Sequence, residues 1–93
     1  VRKLKRTPTA AKQYKKLARK DPQLKSKVDA KILELLNAED PGSLLEVTGK
    51  PHKLKGNLNG WWGVTTKDGN RIVYKFDTET LIIASLVGHY GDH

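Results

Sequence analysis

The chain predicts a small α+β domain in which two helices cover one face of an antiparallel sheet. Three observations lead there. A capping residue followed by proline occurs twice, at Thr7-Pro8 and at Asp21-Pro22, and each pair is a helix start signal. Behind each pair apolar residues recur at helical spacing, whereas after Pro41 three short runs show strand character and are separated by turn residues. Ninety-three residues with 37% hydrophobic and 30% charged side chains suit one core, so a single domain over residues 1–93 is expected.

Residues 1–6, VRKLKR, have the length and outward-facing basic residues of a short edge strand. The first helix starts at Thr7-Pro8. Ala10, Ala11, Tyr14, Leu17 and Ala18 share one face, and Lys12, Lys15, Lys16 and Arg19 lie around the rest. The second runs from about Pro22 to Asn37 with Leu24, Val28, Ile32, Leu35 and Leu36 as its buried stripe, and Glu39-Asp40-Pro41-Gly42 ends it. The two form an αα-hairpin. Ser43 to Gly60, rich in Gly, Pro, Asn and Lys, reads as a long loop with a short strand or turn around Leu44 to Val47. Ordered loops of this length are often functional.

Strands are expected at Trp61–Thr66, Arg71–Asp77 and Leu81–Tyr90, and the short turns between them imply an antiparallel meander. In the middle strand Ile72, Tyr74 and Phe76 make an apolar face, while Arg71, Val73 and Lys75 make the other. The helix pair should cover the apolar face. The opposite face is then left for function.

Composition excludes several function classes. With no cysteine there is no disulfide, thiolate nucleophile or Cys-ligated metal. The apolar run Leu81 to Val87 is far below the length of a membrane span, and no signal-peptide pattern follows the basic N-terminus, so a cytoplasmic protein without membrane association is expected. Residues 1–31 hold twelve Lys or Arg against Asp21 and Asp29, a net charge of +10, while the remainder carries −2. Such asymmetry favours a polyanionic partner: nucleic acid, ribosome, anionic lipid or an acidic protein.

The inventory of chemistry-bearing side chains is short: His52, His89, His93, Lys53, Lys55, Arg71, Tyr90 and a few acids. There is no phosphate-binding glycine loop and no nucleophile elbow. His89, Asp92 and His93 have helical ligand spacing, but Gly88 and Gly91 oppose a helix there, so no metal and no cofactor are expected. Trp61 and Trp62, adjacent on a strand, must point to opposite faces: one to the core, the other free to stack on a base. Trp62 is assigned the RNA-facing role. Spacing alone leaves His52 open between a solvated loop imidazole and an active group.

Residues 49–60 read GKPHKLKGNLNG, followed by the Trp pair, Arg71-Ile72-Val73-Tyr74, Leu81-Ile82-Ile83-Ala84 and His89-Tyr90. This ordered series resembles the RelE superfamily of toxin-antitoxin ribonucleases, and within it the YoeB/Txe branch. The resemblance spans roughly Gly49 to Tyr90. It implies a RelE-like α+β fold: an N-terminal strand, the helix hairpin, then the meander with a cleft opposite the helices. It also implies a metal-independent endoribonuclease that cuts mRNA in the ribosomal A site and is held inactive by a cognate antitoxin. Arg71 matches the family arginine on the scissile phosphate, His89 the general acid, Tyr90 the tyrosine that orients RNA, and Lys55 the lysine of the motif.

The sequence departs from that pattern in places. His52 stands where the branch has a glutamate general base, and Thr65 where it has a second arginine. Trp62 and Val64 occupy positions of catalytic lysines in the RelE branch, so that style of catalysis is not available. Gly91-Asp92-His93 extend the chain beyond the His-Tyr ending.

Cleavage by the neighbouring 2′-OH needs a base, a cation for the phosphorane charge and an acid for the leaving 5′-oxygen. Histidine suits both proton transfers, and arginine is a fixed charged fork. His52 as base, His89 as acid and Arg71 on the phosphate form the expected set, with Lys53 and Lys55 beside the RNA. Should His52 be dispensable, Lys55 and Glu46 are the next bases to consider. Whether Arg71 and His89 share a face depends on strand register. Lys12, Lys15, Lys16 and Arg19 are expected to dock on ribosomal RNA. Two other classes stay open: a non-catalytic RNA- or ribosome-binding toxin of the same fold, and a gyrase-poisoning ParE-type toxin, against which His89-Tyr90 speaks.

Overall fold

The computed structural model describes residues 1–66 and 70–86. Its elements are β1 (Lys3–Arg6), α1 (Pro8–Lys20), α2 (Pro22–Asn37), β2 (His52–Lys53), a 3-10 turn (Gly56–Leu58), β3 (Trp62–Thr65), β4 (Arg71–Phe76) and β5 (Thr80–Ser85). Both helices start where the cap signals put them. Thr7 Oγ1 accepts from the Ala10 N–H at 3.2 Å and Asp21 Oδ1 from the Leu24 N–H at 3.1 Å. Pro8 and Pro22 follow at positions where a missing N–H costs nothing. Asp21 also closes α1, its own N–H donating to the Leu17 carbonyl at 2.9 Å. One residue thus ends the first helix and begins the second, which is why the hairpin needs no longer connection.

The strand order is β1-β5-β4-β3-β2. β3, β4 and β5 form the expected antiparallel meander. The sheet is nevertheless mixed, because β1 lies parallel to β5 with Leu4 beside Leu81 and Arg6 beside Ile83. A parallel neighbour needs a long crossover, and here α1, α2 and three strands intervene. Thr7 fastens this joint: its N–H donates to the Ile83 carbonyl at 3.0 Å and its hydroxyl to the Ala84 carbonyl at 2.9 Å. The stretch read as a long loop contains a further strand. β2 pairs antiparallel with β3, His52 opposite Gly63 and Lys53 opposite Trp62, whereas Leu44–Glu46 is a turn. Two residues are too few to show alternation, so this strand exists only through its partner. Of the expected strand Leu81–Tyr90, residues 87–90 fall outside the described residues.

One face of the sheet is the core. Val64, Ile72, Tyr74, Leu81 and Ile83 meet Ala10 and Leu17 of α1 and Val28, Ile32 and Leu35 of α2. Ala18, expected inward, is exposed because it lies beyond the contact stripe. The Tyr74 phenol donates to the Pro41 carbonyl at 2.6 Å, and burial pushes its pKa up, so it stays a donor.

The buried stripe of α2 includes a charge. Lys31 is 9% exposed, and its Nζ donates to Glu34 Oε1 at 2.8 Å and to the Thr48 carbonyl and hydroxyl at 2.8 and 2.6 Å. Glu34 Oε2 also accepts the Thr48 N–H at 2.9 Å. Burial alone would raise the Glu34 carboxyl, but the bonds from Lys31 and Thr48 outweigh it and hold the group below its ordinary value. This clamp ties the segment after Gly42 to α2. A buried ammonium with three acceptors is satisfied, so Lys31 leaves the basic surface counted from the sequence.

Candidate functional site

Alternation decides what the open face of the sheet presents. Trp62, Val64, Ile72 and Tyr74 belong to the helix-facing side. Their neighbours Trp61, Gly63 and Thr65, and Arg71, Val73 and Lys75, therefore point away from the helices. His52 joins them through its register with Gly63. A Cβ built on Gly63 would lie 3.5 Å from His52 Cε1 and 3.7 Å from Nε2, so the imidazole rests over the space that this glycine leaves empty.

The imidazole is oriented by its own loop. His52 Nδ1 lies 3.1 Å from the Lys50 carbonyl oxygen. A carbonyl only accepts, so this bond has Nδ1 carrying the hydrogen, and the neutral ring then keeps its lone pair on Nε2. The backbone brings the carbonyl there. Gly49 and Lys50 are both in the left-handed region, at φ 92 and 55. The Gly49 carbonyl accepts the Thr65 N–H at 3.0 Å, and a Cβ at residue 49 would come within 2.1 Å of the Thr65 carbonyl oxygen. Glycine is required here for close approach as well as for its φ. Beside this segment opens a cleft of about 460 Å³ lined by Lys31, Thr48, Gly49, Lys50, Thr65 and Thr66.

Arg71, partly exposed, stands opposite Thr65 on the same open face. Two strand spacings sideways and two residues along put its Cα roughly 12 Å from that of His52. Two long side chains reaching inward from that separation can flank one phosphodiester, with an acceptor nitrogen on one side and a guanidinium on the other. Among the described residues no group of three His, Asp or Glu is placed to hold a metal ion. His89 and Tyr90, assigned as acid and RNA-orienting residue, and His93 lie outside the described residues.

Several assigned residues lie elsewhere. Trp62 is on the helix side, packed against the core, with Phe76 at 5.6 Å between ring centres and Gly42 so close that a Cβ there would strike the indole. It is therefore no open-face platform; that position belongs to Trp61. The alternation itself was visible, Trp62 with Val64 and Trp61 with Gly63 and Thr65, but the packing of Val64 in the helix-covered core is what fixes the inward set. Lys53, opposite Trp62, shares its side, with Nζ 5.7 Å from the indole centre, and so is turned away from His52's face. Lys55 is exposed where the β2–β3 hairpin enters its 3-10 turn. Glu46 accepts the Glu39 and Asp40 amides at 2.9 and 3.0 Å, which gives both carboxylate oxygens a structural partner in the turn after α2.

Lys12, Lys15, Lys16 and Arg19 are all exposed. Their i, i+3, i+4, i+7 spacing makes one stripe, offset by about 180° from the stripe holding Ala10, Tyr14 and Leu17. It faces away from the sheet, on the far side of the molecule from His52. The other basic residues near the N-terminus are partly committed: Arg2 donates to the Ala38, Glu39 and Asp77 carbonyls, Arg6 lies over the Tyr14 ring, and Lys25 pairs with Asp29.

Comparison with known proteins gives consistent matches. Residues 7–90 match the model of the YoeB-like toxin of bacterial type II toxin-antitoxin systems. The chain is 32% identical to Toxin YoeB of Streptomyces coelicolor over 77 residues, 83% of this chain and 86% of that protein. It superposes on the YoeB dimer structure from Staphylococcus aureus with a TM-score of 0.77 at 30% identity, covering 96% of this chain and 98% of that one. On the YoeB-YefM complex from the same organism the TM-score is 0.78 at 28% identity, covering 97% and 99%.

Proposed function

The chain belongs to the YoeB-like toxins of bacterial type II toxin-antitoxin systems, and from that premise we propose that it is a ribosome-dependent endoribonuclease that cuts mRNA in the A site. The observation that carries the reading is the His52 imidazole on the open face, its Nδ1 engaged by the Lys50 carbonyl and its Nε2 left as the acceptor. That is the arrangement a general base needs. Nε2 takes the proton of a ribose 2′-OH, the 2′-oxygen forms a bond to the adjacent phosphorus, and the bond from phosphorus to the 5′-oxygen breaks. Arg71 compensates the charge that builds on the phosphoryl oxygens. By its match to the family histidine, His89 returns a proton to the leaving 5′-oxygen, and Tyr90 orients the RNA. The products are a 2′,3′-cyclic phosphate and a 5′-hydroxyl. The site is cytoplasmic, where translating ribosomes are.

Primer extension on an mRNA incubated with translating ribosomes tests the reading. New 5′ ends within A-site codons, bearing a 5′-hydroxyl, are expected. Intact mRNA under conditions that keep the chain bound to ribosomes would instead indicate a non-catalytic toxin.

A cognate antitoxin is the second partner proposed, supported by the family and by the structural likeness to a chain solved in a YoeB-YefM complex. The basic stripe of α1 serves ribosomal RNA. Replacing Lys12, Lys15, Lys16 and Arg19 by Gln should weaken ribosome binding and flatten its log-log salt dependence by roughly 0.7–0.9 per lost phosphate contact. An unchanged slope in a salt titration would assign the stripe to another partner.

A further inference from the structure

A row of side chains crosses the open face immediately beside His52. Lys5 on β1 neighbours Ile82 on β5, which neighbours Lys75 on β4. The register of β3 then puts Trp61 next to Lys75, and Leu54 follows at the edge, its N–H donating to the Trp61 carbonyl at 2.9 Å. Lys75 Nζ lies 4.7 Å from the centre of the Trp61 ring. Trp61 is only partly buried and takes no part in the core cluster, where Trp62 fills the inward position. Lys5 and Lys75 are exposed. The row is therefore aromatic and cationic, on the face that carries His52 and Arg71.

We propose that Trp61 is a stacking platform for one nucleobase of the RNA single strand, with Lys75 and Lys5 on its neighbouring phosphates, and that it sets base preference next to the cut. This rests on the open face being the RNA-cleaving face. An indole offers any base a π-surface, and base stacking is stronger than the cation–π contact of an exposed lysine, so RNA displaces the ammonium from the ring. The flexible lysine stem then lets Lys75 follow the backbone phosphate. Trp61 lies two residues from Gly63, over which His52 sits, a separation of about 7 Å along the strand. A base on Trp61 thus belongs to a nucleotide flanking the cleaved linkage. Purines, having the larger stacking surface, should be preferred there. Trp61 is in this sense a positioning residue.

The test uses the full chain with Trp61→Leu, Trp61→Phe and Lys75→Gln. On programmed ribosomes Trp61→Leu should lose about 5- to 100-fold in kcat/KM and flatten the purine preference at one flanking position, while Trp61→Phe keeps most of both. Equal thermal midpoints for the Leu and Phe variants separate this from a structural role. Lys75→Gln should reduce the log-log salt slope of RNA binding by about 0.7. In a second arm, a single-stranded RNA oligonucleotide with a 2′-deoxy nucleotide at the cut position is titrated at low salt to saturation. Trp61 and Trp62 are the two tryptophans of the chain, so quenching present in the wild type and absent in Trp61→Phe reports stacking on residue 61. This arm needs no cleavage: quenching with mRNA left intact keeps the platform and removes the nuclease reading. A Trp61→Leu variant with the wild-type rate and cut pattern overturns the proposal. So does quenching by an acidic peptide with none by RNA, which would assign the row to a protein partner.

Discussion

His52→Ala should slow cleavage of ribosome-bound mRNA by about 10²- to 10⁴-fold, the usual cost of losing one positioned proton-transfer group, with ribosome binding retained. The substitution removes a ring on an exposed two-residue strand and no core contact, so folding is not at stake. His52→Glu is the informative companion, because the family branch carries glutamate at this place. It should recover part of the rate and extend activity to lower pH, since a carboxylate releases its proton at lower pH than an imidazole does. Arg71→Ala should do at least as badly as His52→Ala, as the phosphorane charge then lacks its guanidinium. Single-turnover cleavage across a pH series separates these roles. Wild-type rates for His52→Ala would reduce His52 to a loop residue and direct attention to Lys55, or to the RNA and the ribosome.

Gly49→Ala should be the most damaging single methyl in the loop, lowering stability by about 2–4 kcal/mol. Two effects add at this position: a left-handed φ of 92, and a Cβ 2.1 Å from a backbone oxygen of β3 that has no flexible side chain to yield. Gly60, at φ 93, would place its Cβ in open space, so Gly60→Ala carries the conformational cost alone. The difference between the two variants in chemical denaturation isolates the steric part. For a domain of this size each kcal/mol moves the thermal midpoint by roughly 4–8 °C, so the two melting curves should be well separated. Residual folded Gly49→Ala protein should also cleave poorly, because the Lys50 carbonyl that orients His52 moves with residue 49. Loss of stability with undiminished activity per folded molecule would show that His52 needs no such seat.

Both effects depend on one short segment, Gly49 to His52, and only part of its role was legible in the sequence. Imidazole in place of the family glutamate could be read directly, whereas the left-handed backbone and the close approach to Thr65 that require Gly49 could not. The second strand that carries His52 could not, because two paired residues have no period of their own and gain their conformation from β3. The placement of Lys53 opposite His52's face follows from the same pairing. For the tryptophans the alternation was readable, yet only the contact of Val64 and Tyr74 with the helices shows which alternating set is inward.

The sequence by itself determined the helix bounds, the hairpin through Asp21, the meander and the family, because caps, periodicity and ordered motifs are local or linear properties of the chain. The tertiary structure alone decided the parallel edge strand, the burial of Lys31, the engagement of Glu46, the assignment of Trp61 to the open face and the separation of the α1 lysines from His52. Each of these is set by which distant segment supplies a hydrogen-bond partner or fills a side-chain position. Such a choice is made by packing and register, between residues whose spacing along the chain carries no record of it.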